Sequence, residues 1–236
     1  PLGLLYRSLN QIEDSCVKKD TKKEIKDEDT PSDDKLSIWK ILLHPLFILF
    51  TISDFTTGIG FNAPYLYAKD RAVNAGISSA RASYLISSIG LGNSIGRVVS
   101  GYVATKKVNR FYFYNWSLLL SGLLLVSSWG AANYYWMITN YSLVGLLTGT
   151  YVTLTPVMLS DLLGSENVNR SFGFLCIFQG IAVFIGPPVV GYIYDLTQSF
   201  NLAFSFCGLC MILSALVMNL GYISREFRRK VKTFHE

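Results

Sequence analysis

Apolar residues fall along this chain in six long runs, 41–67, 84–104, 111–131, 136–159, 172–194 and 203–223, separated by polar stretches. A helix needs about 20 mostly apolar residues to cross a bilayer's hydrocarbon core, and each run reaches that length. A helix also satisfies its own backbone in lipid. The roughly 10-residue alternating segments of a membrane barrel are absent. The pattern therefore predicts an all-α membrane protein with a six-helix membrane domain over 38–224.

The polar stretches are uneven. Residues 13–37 are densely charged, almost free of aromatics, and hold no run able to bury a core, so they read as a disordered cytoplasmic linker. Before them, Leu2, Leu4, Leu5 and Tyr6 suggest that 1–12 is the end of a preceding helix. Residues 225–236 read as a basic cytoplasmic tail. No cleavable signal peptide is visible.

With six spans both tails share a side. Lys18, Lys19, Lys106, Lys107, Arg110, Arg228 and Arg229 belong to that side, whereas the opposite loops hold only Lys69, Arg71 and Arg81. The positive-inside rule then places both tails and the 105–110 loop in the cytoplasm, with the 68–82 loop outside.

Composition narrows the function. Charged residues make up 16% of the 236, against about 25% in ordinary soluble domains. The net charge of +5 sits in loops and tails rather than on an aromatic-studded face, so lipid headgroups explain it and nucleic acid does not. Cys207-x-x-Cys210 lies inside an apolar run with no second pair and no nearby His, which suits helix packing better than redox or zinc chemistry. No hydrolase, nucleotide-binding or metal motif appears, and no second intramembrane carboxylate faces Asp54 as a protease would need. The chain is not expected to be an enzyme or to carry a cofactor or metal.

Two ionisable groups stand inside spans, where charge is costly and marks candidate function. Arg97 lies about one and a half turns from the cytoplasmic end of the second span. Its alternative role is snorkelling to headgroups. Asp54 lies near the middle of the first. Its alternative is a structural bond to Ser53, Thr57 or a neighbouring helix. Gly90, Asn93, Arg97 and Gly101 share one helix face by their spacing, so an amide and a guanidinium point into the same space. A guanidinium binds a carboxylate through two parallel N–H···O bonds. Arg97, Asn93 and Asp54 are thus the candidate solute-binding residues. Gly92-x-x-x-Gly96, on a neighbouring face, is a candidate helix-packing motif.

The stretch Ile89-Gly-Leu-Gly-Asn93-Ser-Ile-Gly-Arg97-Val-Val-Ser-Gly-Tyr102 resembles the eighth helix of the monocarboxylate transporter family, in the major facilitator superfamily. Gly186-Pro-Pro-Val-Val-Gly-Tyr-Ile-Tyr-Asp195 is similar to that family's eleventh helix. The resemblance covers about residues 36–223. It implies helices seven to twelve of a twelve-helix carrier, built from two three-helix repeats, in the plasma membrane. It implies alternating-access transport of a small monocarboxylate or related metabolite, often with a proton. The missing N-terminal six-helix half and the lipid bilayer are the implied partners, with room for a single-span accessory subunit. Arg97 matches the family's functional arginine. The proton-coupled lactate carriers have an aspartate where this chain has Asn93, so uptake is expected to depend weakly on a proton gradient, with Asp54 as the carboxyl that could reverse this. The alternative is a truncated, non-transporting membrane protein acting as an interaction partner, with a channel third. Six further spans encoded upstream of Pro1 would favour the carrier.

Overall fold

The computed structural model describes residues 42–106, 109–128, 133–164 and 168–233. The expected helix end at 1–12 and linker at 13–37 lie outside the described residues. Those described form α1 (Pro45–Phe61), α2 (Ala63–Asn74), α3 (Ser79–Ala104), α4 (Arg110–Ser127), α5 (Tyr134–Leu163), α6 (Val168–Thr197) and α7 (Phe200–Thr233). The described residues are all-α, and their helices make six spans, α1 and α2 sharing one.

α1 and α2 are one span broken at Asn62. Pro64, in the first turn of α2, has no N–H to bond back and its ring crowds the preceding carbonyls, so the ladder restarts there. The span runs on to Asn74, and α3 starts at Ser79, ahead of the expected position 84. The expected 68–82 loop therefore shrinks to 75–78. α7 likewise continues beyond 224, to Thr233.

Among the described residues, four segments are by length and hydropathy apolar enough to cross a membrane: Pro45–Asn74, Tyr134–Leu163, Val168–Thr197 and Phe200–Tyr222. α3 is long enough at 26 residues, about 39 Å, but Arg81, Arg97 and its Ser and Gly residues lower its hydropathy. α4 is only 18 residues long.

Glycines bring the backbones together. α3 packs most extensively on α5. There Gly92 and Gly96 interlock with Gly145 and Gly149. A methyl added at Gly96 would overlap the Leu146 carbonyl, and one at Gly145 the Ile89 carbonyl. The expected packing role of Gly92-x-x-x-Gly96 thus has its partner on α5. Gly122 and Gly208 meet in the same way between α4 and α7, and Gly186 of α6 sits against the Ile59 carbonyl of α1. Successive spans alternate in direction. One end of the bundle thus holds the α3–α4 and α5–α6 connections, where Arg110 Nη1 pairs with Asp161 Oδ1 at 3.1 Å. The other end holds the α2–α3, α4–α5 and α6–α7 connections.

Candidate functional site

α3 turns two faces to different surroundings. The Gly92–Gly96 face is sealed against α5. On the face predicted from the Asn93–Arg97 spacing, a Cβ at Gly90 or Gly101 would meet nothing within 4 Å. Arg97 is exposed on this open side and Asn93 is half-buried beneath it.

The Arg97 stem runs back along α3, where Nε donates to Asn93 Oδ1 at 2.8 Å. A helical side chain leans toward its helix's N-terminus, which favours this bond four residues back. Arg97 therefore points away from the nearby C-terminal end of α3. Snorkelling to that end would need the opposite direction. Nη1 and Nη2 make no hydrogen bond among the described residues, so the terminal edge of the fork is open.

Asn93 is itself held. Its Nδ2 donates to Tyr65 Oη at 3.0 Å, and Tyr65 Oη lies 2.8 Å from Thr148 Oγ1. Thr148 spends its single hydrogen on carbonyls of its own helix, Val144 at 2.8 Å and Gly145 at 2.9 Å. Tyr65 must then donate to Thr148, and the chain has one direction: Arg97 to Asn93, Asn93 to Tyr65, Tyr65 to Thr148, Thr148 to the α5 backbone. Three helices fix the guanidinium. Tyr65 sits in the first turn of α2, so the break at Asn62 is what aims it across at α3.

Asp54 lies elsewhere. It is fully buried within α1, and its Oδ1 accepts from Tyr151 Oη of α5 at 2.5 Å. Gln179 Nε2 of α6 donates to the same hydroxyl at 3.2 Å. Oδ2 has no hydrogen-bond partner among the described residues. The two hydroxyls expected as structural partners serve α7 instead: Ser53 Oγ lies 2.7 Å from Ser214 Oγ, and Thr57 Oγ1 donates to Ser214 Oγ at 2.6 Å. Asn93 and Arg97 thus form one cluster, and Asp54 belongs to a second. Both hang on α5, through Thr148 and Tyr151, neighbours one turn apart. Phe61 lies between them, with ring centroids 5.3 Å from Tyr65 and 6.0 Å from Tyr151.

Arg71 corrects an expectation. It is not a loop cation but a residue of α2, only 5% exposed. Nη1 donates to Ser128 Oγ at 2.9 Å and Tyr141 Oη at 3.4 Å, and Nη2 donates to Asn201 Oδ1 at 3.0 Å and to the Ser128 carbonyl. Its guanidinium carbon stands 4.7 Å over the Phe204 ring. Lys69 and Asp70 beside it made the whole segment read as water-facing, but α2 continues and turns Arg71 inward.

Sequence reasoning missed Tyr65, Thr148, Tyr151 and Gln179. Each is an uncharged polar residue in a span, a type too common in this chain to stand out, and each gains its role from a helix distant in sequence.

Comparison with known proteins agrees with this architecture. The family model described as Major Facilitator Superfamily matches residues 26–235. Monocarboxylate transporter 9 of Gallus gallus is 33% identical over 165 residues, 69% of this chain and 32% of that protein. Monocarboxylate transporter 9 of Pongo abelii is 31% identical over 178 residues, covering 75% and 34%. Monocarboxylate transporter 12 of Rattus norvegicus is 24% identical over 191 residues, covering 80% and 39%. The chain thus spans 32–39% of the length of these relatives.

Proposed function

The chain belongs to the major facilitator superfamily, in its monocarboxylate transporter family, and from that premise we propose that it supplies the C-terminal half of a carrier for a small monocarboxylate or related metabolite. The carrier works by alternating access in the plasma membrane, with both ends of this chain in the cytoplasm and a second six-helix half closing the solute site.

The observation that carries this reading is the state of Arg97. A guanidinium inside a membrane span is expensive unless it is used. Here its inner nitrogen is clamped by Asn93, and its outer two nitrogens have no bond among the described residues and sit on an open helix face. Those two nitrogens match the spacing of a carboxylate's oxygens. The site is thus formed before the solute arrives, which lowers the ordering cost of binding. Asn93 serves by holding the fork, and contributes no charge of its own. The exposed apolar side chains beside it, Leu91, Ile95 and Val98, supply surface for lipid or for the second half.

The test is uptake of labelled short-chain monocarboxylates by the whole transporter in proteoliposomes, for wild type and Arg97→Ala. Saturable uptake that Arg97→Ala abolishes, with protein yield unchanged, is the expected result. Equal uptake by both removes the proposal.

A further inference from the structure

The second cluster has no part in the site above. Asp54 is fully buried although this half stands alone, so the six helices themselves enclose it and no second half is needed. The groups facing it are weak acids or uncharged. They are Tyr151 from α5, with Gln179 of α6 bonded behind it, Tyr114 from α4 and Cys176 from α6, while Ser53 and Thr57 on its own helix bond to Ser214 of α7. No cation is among them. Oδ1 is satisfied by Tyr151, while Oδ2 is enclosed and has no partner.

A structural aspartate in a membrane bundle would be expected to use both oxygens or to face an Arg or Lys. This one does neither. A proton on Oδ2 would remove the net charge and leave the Tyr151 bond to Oδ1 in place. We infer that the Asp54 carboxyl, held by Tyr151, whose hydroxyl Gln179 holds in turn, is a proton-binding site distinct from the Asn93–Arg97 site.

The proton comes from water onto Oδ2 and returns to water from it, with no other bond made or broken. When it leaves, Tyr151 still donates to Oδ1, so the anion keeps one donor. Water reaches Oδ2 only if α1 parts from α5 or α6. α1 ends two turns further on at the Asn62 break, which lets it tilt without carrying α2 along. Protonation thus favours the closed packing of α1 and deprotonation its opening. Coupling to the solute site runs through α5, where Tyr151 and Thr148 are one turn apart.

The uptake part of this inference rests on the carrier reading above, and the spectroscopic part does not. Infrared difference spectra of the whole transporter in liposomes, recorded across mildly acid and mildly alkaline pH, report the carbonyl stretch of a protonated carboxylic acid. The expected band is present in wild type and lost in Asp54→Asn, which keeps the size and the acceptor toward Tyr151. In Tyr151→Phe the band moves to higher wavenumber as the carbonyl loses its donor. Initial uptake in wild type rises as external pH falls, by up to about tenfold per pH unit for a single site, and becomes flat in Asp54→Asn. A spectrum unchanged by Asp54→Asn overturns the site, and so does acid stimulation that survives in Asp54→Asn. If the band behaves as expected but neither protein transports any monocarboxylate, the proton site stands and the carrier reading fails.

Discussion

Asn93 Oδ1 accepts from Arg97 Nε at 2.8 Å, and this one bond decides how an anion can approach the guanidinium. Arginine offers two bidentate edges, one that uses Nε and one made of Nη1 and Nη2. Asn93 occupies the first, so a carboxylate must dock end-on. Arg97→Lys keeps the charge and loses the paired donors. It is expected to raise the half-saturation concentration about 10- to 150-fold, the equivalent of about 1.5–3 kcal/mol for a charge-assisted bond. Uptake kinetics measured at matched surface expression check this, and a Lys variant with wild-type affinity would show that charge alone suffices.

Tyr65 holds Asn93 from a different helix, so its hydroxyl should matter although it is placed to touch no solute. Tyr65→Phe takes away the 3.0 Å acceptor of the Asn93 amide and leaves it only the longer 3.5 Å contact with Thr148 Oγ1. The expected result is a half-saturation concentration raised about fivefold, for about 1 kcal/mol, with little change in maximal rate. Thr148→Val cuts the same chain one bond later. The double variant should therefore cost little more than either single one. Simple multiplication of the two effects would show that the residues act independently.

Glycines on the two faces of α3 should behave oppositely. Gly96→Ala and Gly149→Ala push a methyl into a backbone carbonyl across the α3–α5 contact, and are expected to destabilise by about 1–3 kcal/mol. Gly90→Ala meets open space and gains helix propensity, so its thermal stability in detergent should match or slightly exceed wild type. Equal losses at Gly90 and Gly96 would mean that α3 does not turn these faces as described.

The spans were legible because lipid demands long apolar runs, a signal strong in four segments and diluted in α3 by Arg81, Arg97 and its Ser and Gly residues. Asn93 and Arg97 were legible because a spacing of four is a local property of one helix. Arg71 was not. Its neighbours are charged, and only the partners on α4, α5 and α7 reveal that it points inward. Asp54 could be picked out as a buried acid, but Tyr151 lies far along the chain, and no periodicity links two residues on different helices. Contacts between helices depend on which faces meet, and here interlocking glycines set those faces.

Arg71→Leu removes the donors that Ser128, Tyr141 and Asn201 use at one end of the bundle. Buried acceptors left empty should cost about 2–4 kcal/mol in total. Lower melting temperature and lower yield are expected, and Arg71→Lys should recover only part because one ammonium cannot reach all three helices. Wild-type stability in Arg71→Leu would reduce the cluster to a bystander.

Asn93→Asp tests both sites at once. The change keeps an acceptor for Arg97 Nε but replaces the Nδ2 donor with a second acceptor. Tyr65 would turn its hydrogen from Thr148 to the new carboxylate, and Arg97 would gain a fixed counter-ion beside its fork. That ion pair competes with a solute carboxylate, so affinity should fall at alkaline external pH. Protonation of the new acid at lower pH frees the guanidinium and restores binding. Uptake by Asn93→Asp should therefore be more steeply acid-stimulated than in wild type. The decisive protein is the double variant Asn93→Asp with Asp54→Asn, which carries the new carboxyl and lacks the old one. If position 93 controls the charge at Arg97, acid stimulation returns in this variant although Asp54→Asn alone shows none. A flat pH profile in the double variant, with solute affinity unchanged from wild type, would mean that residue 93 does not act on Arg97 in the working carrier.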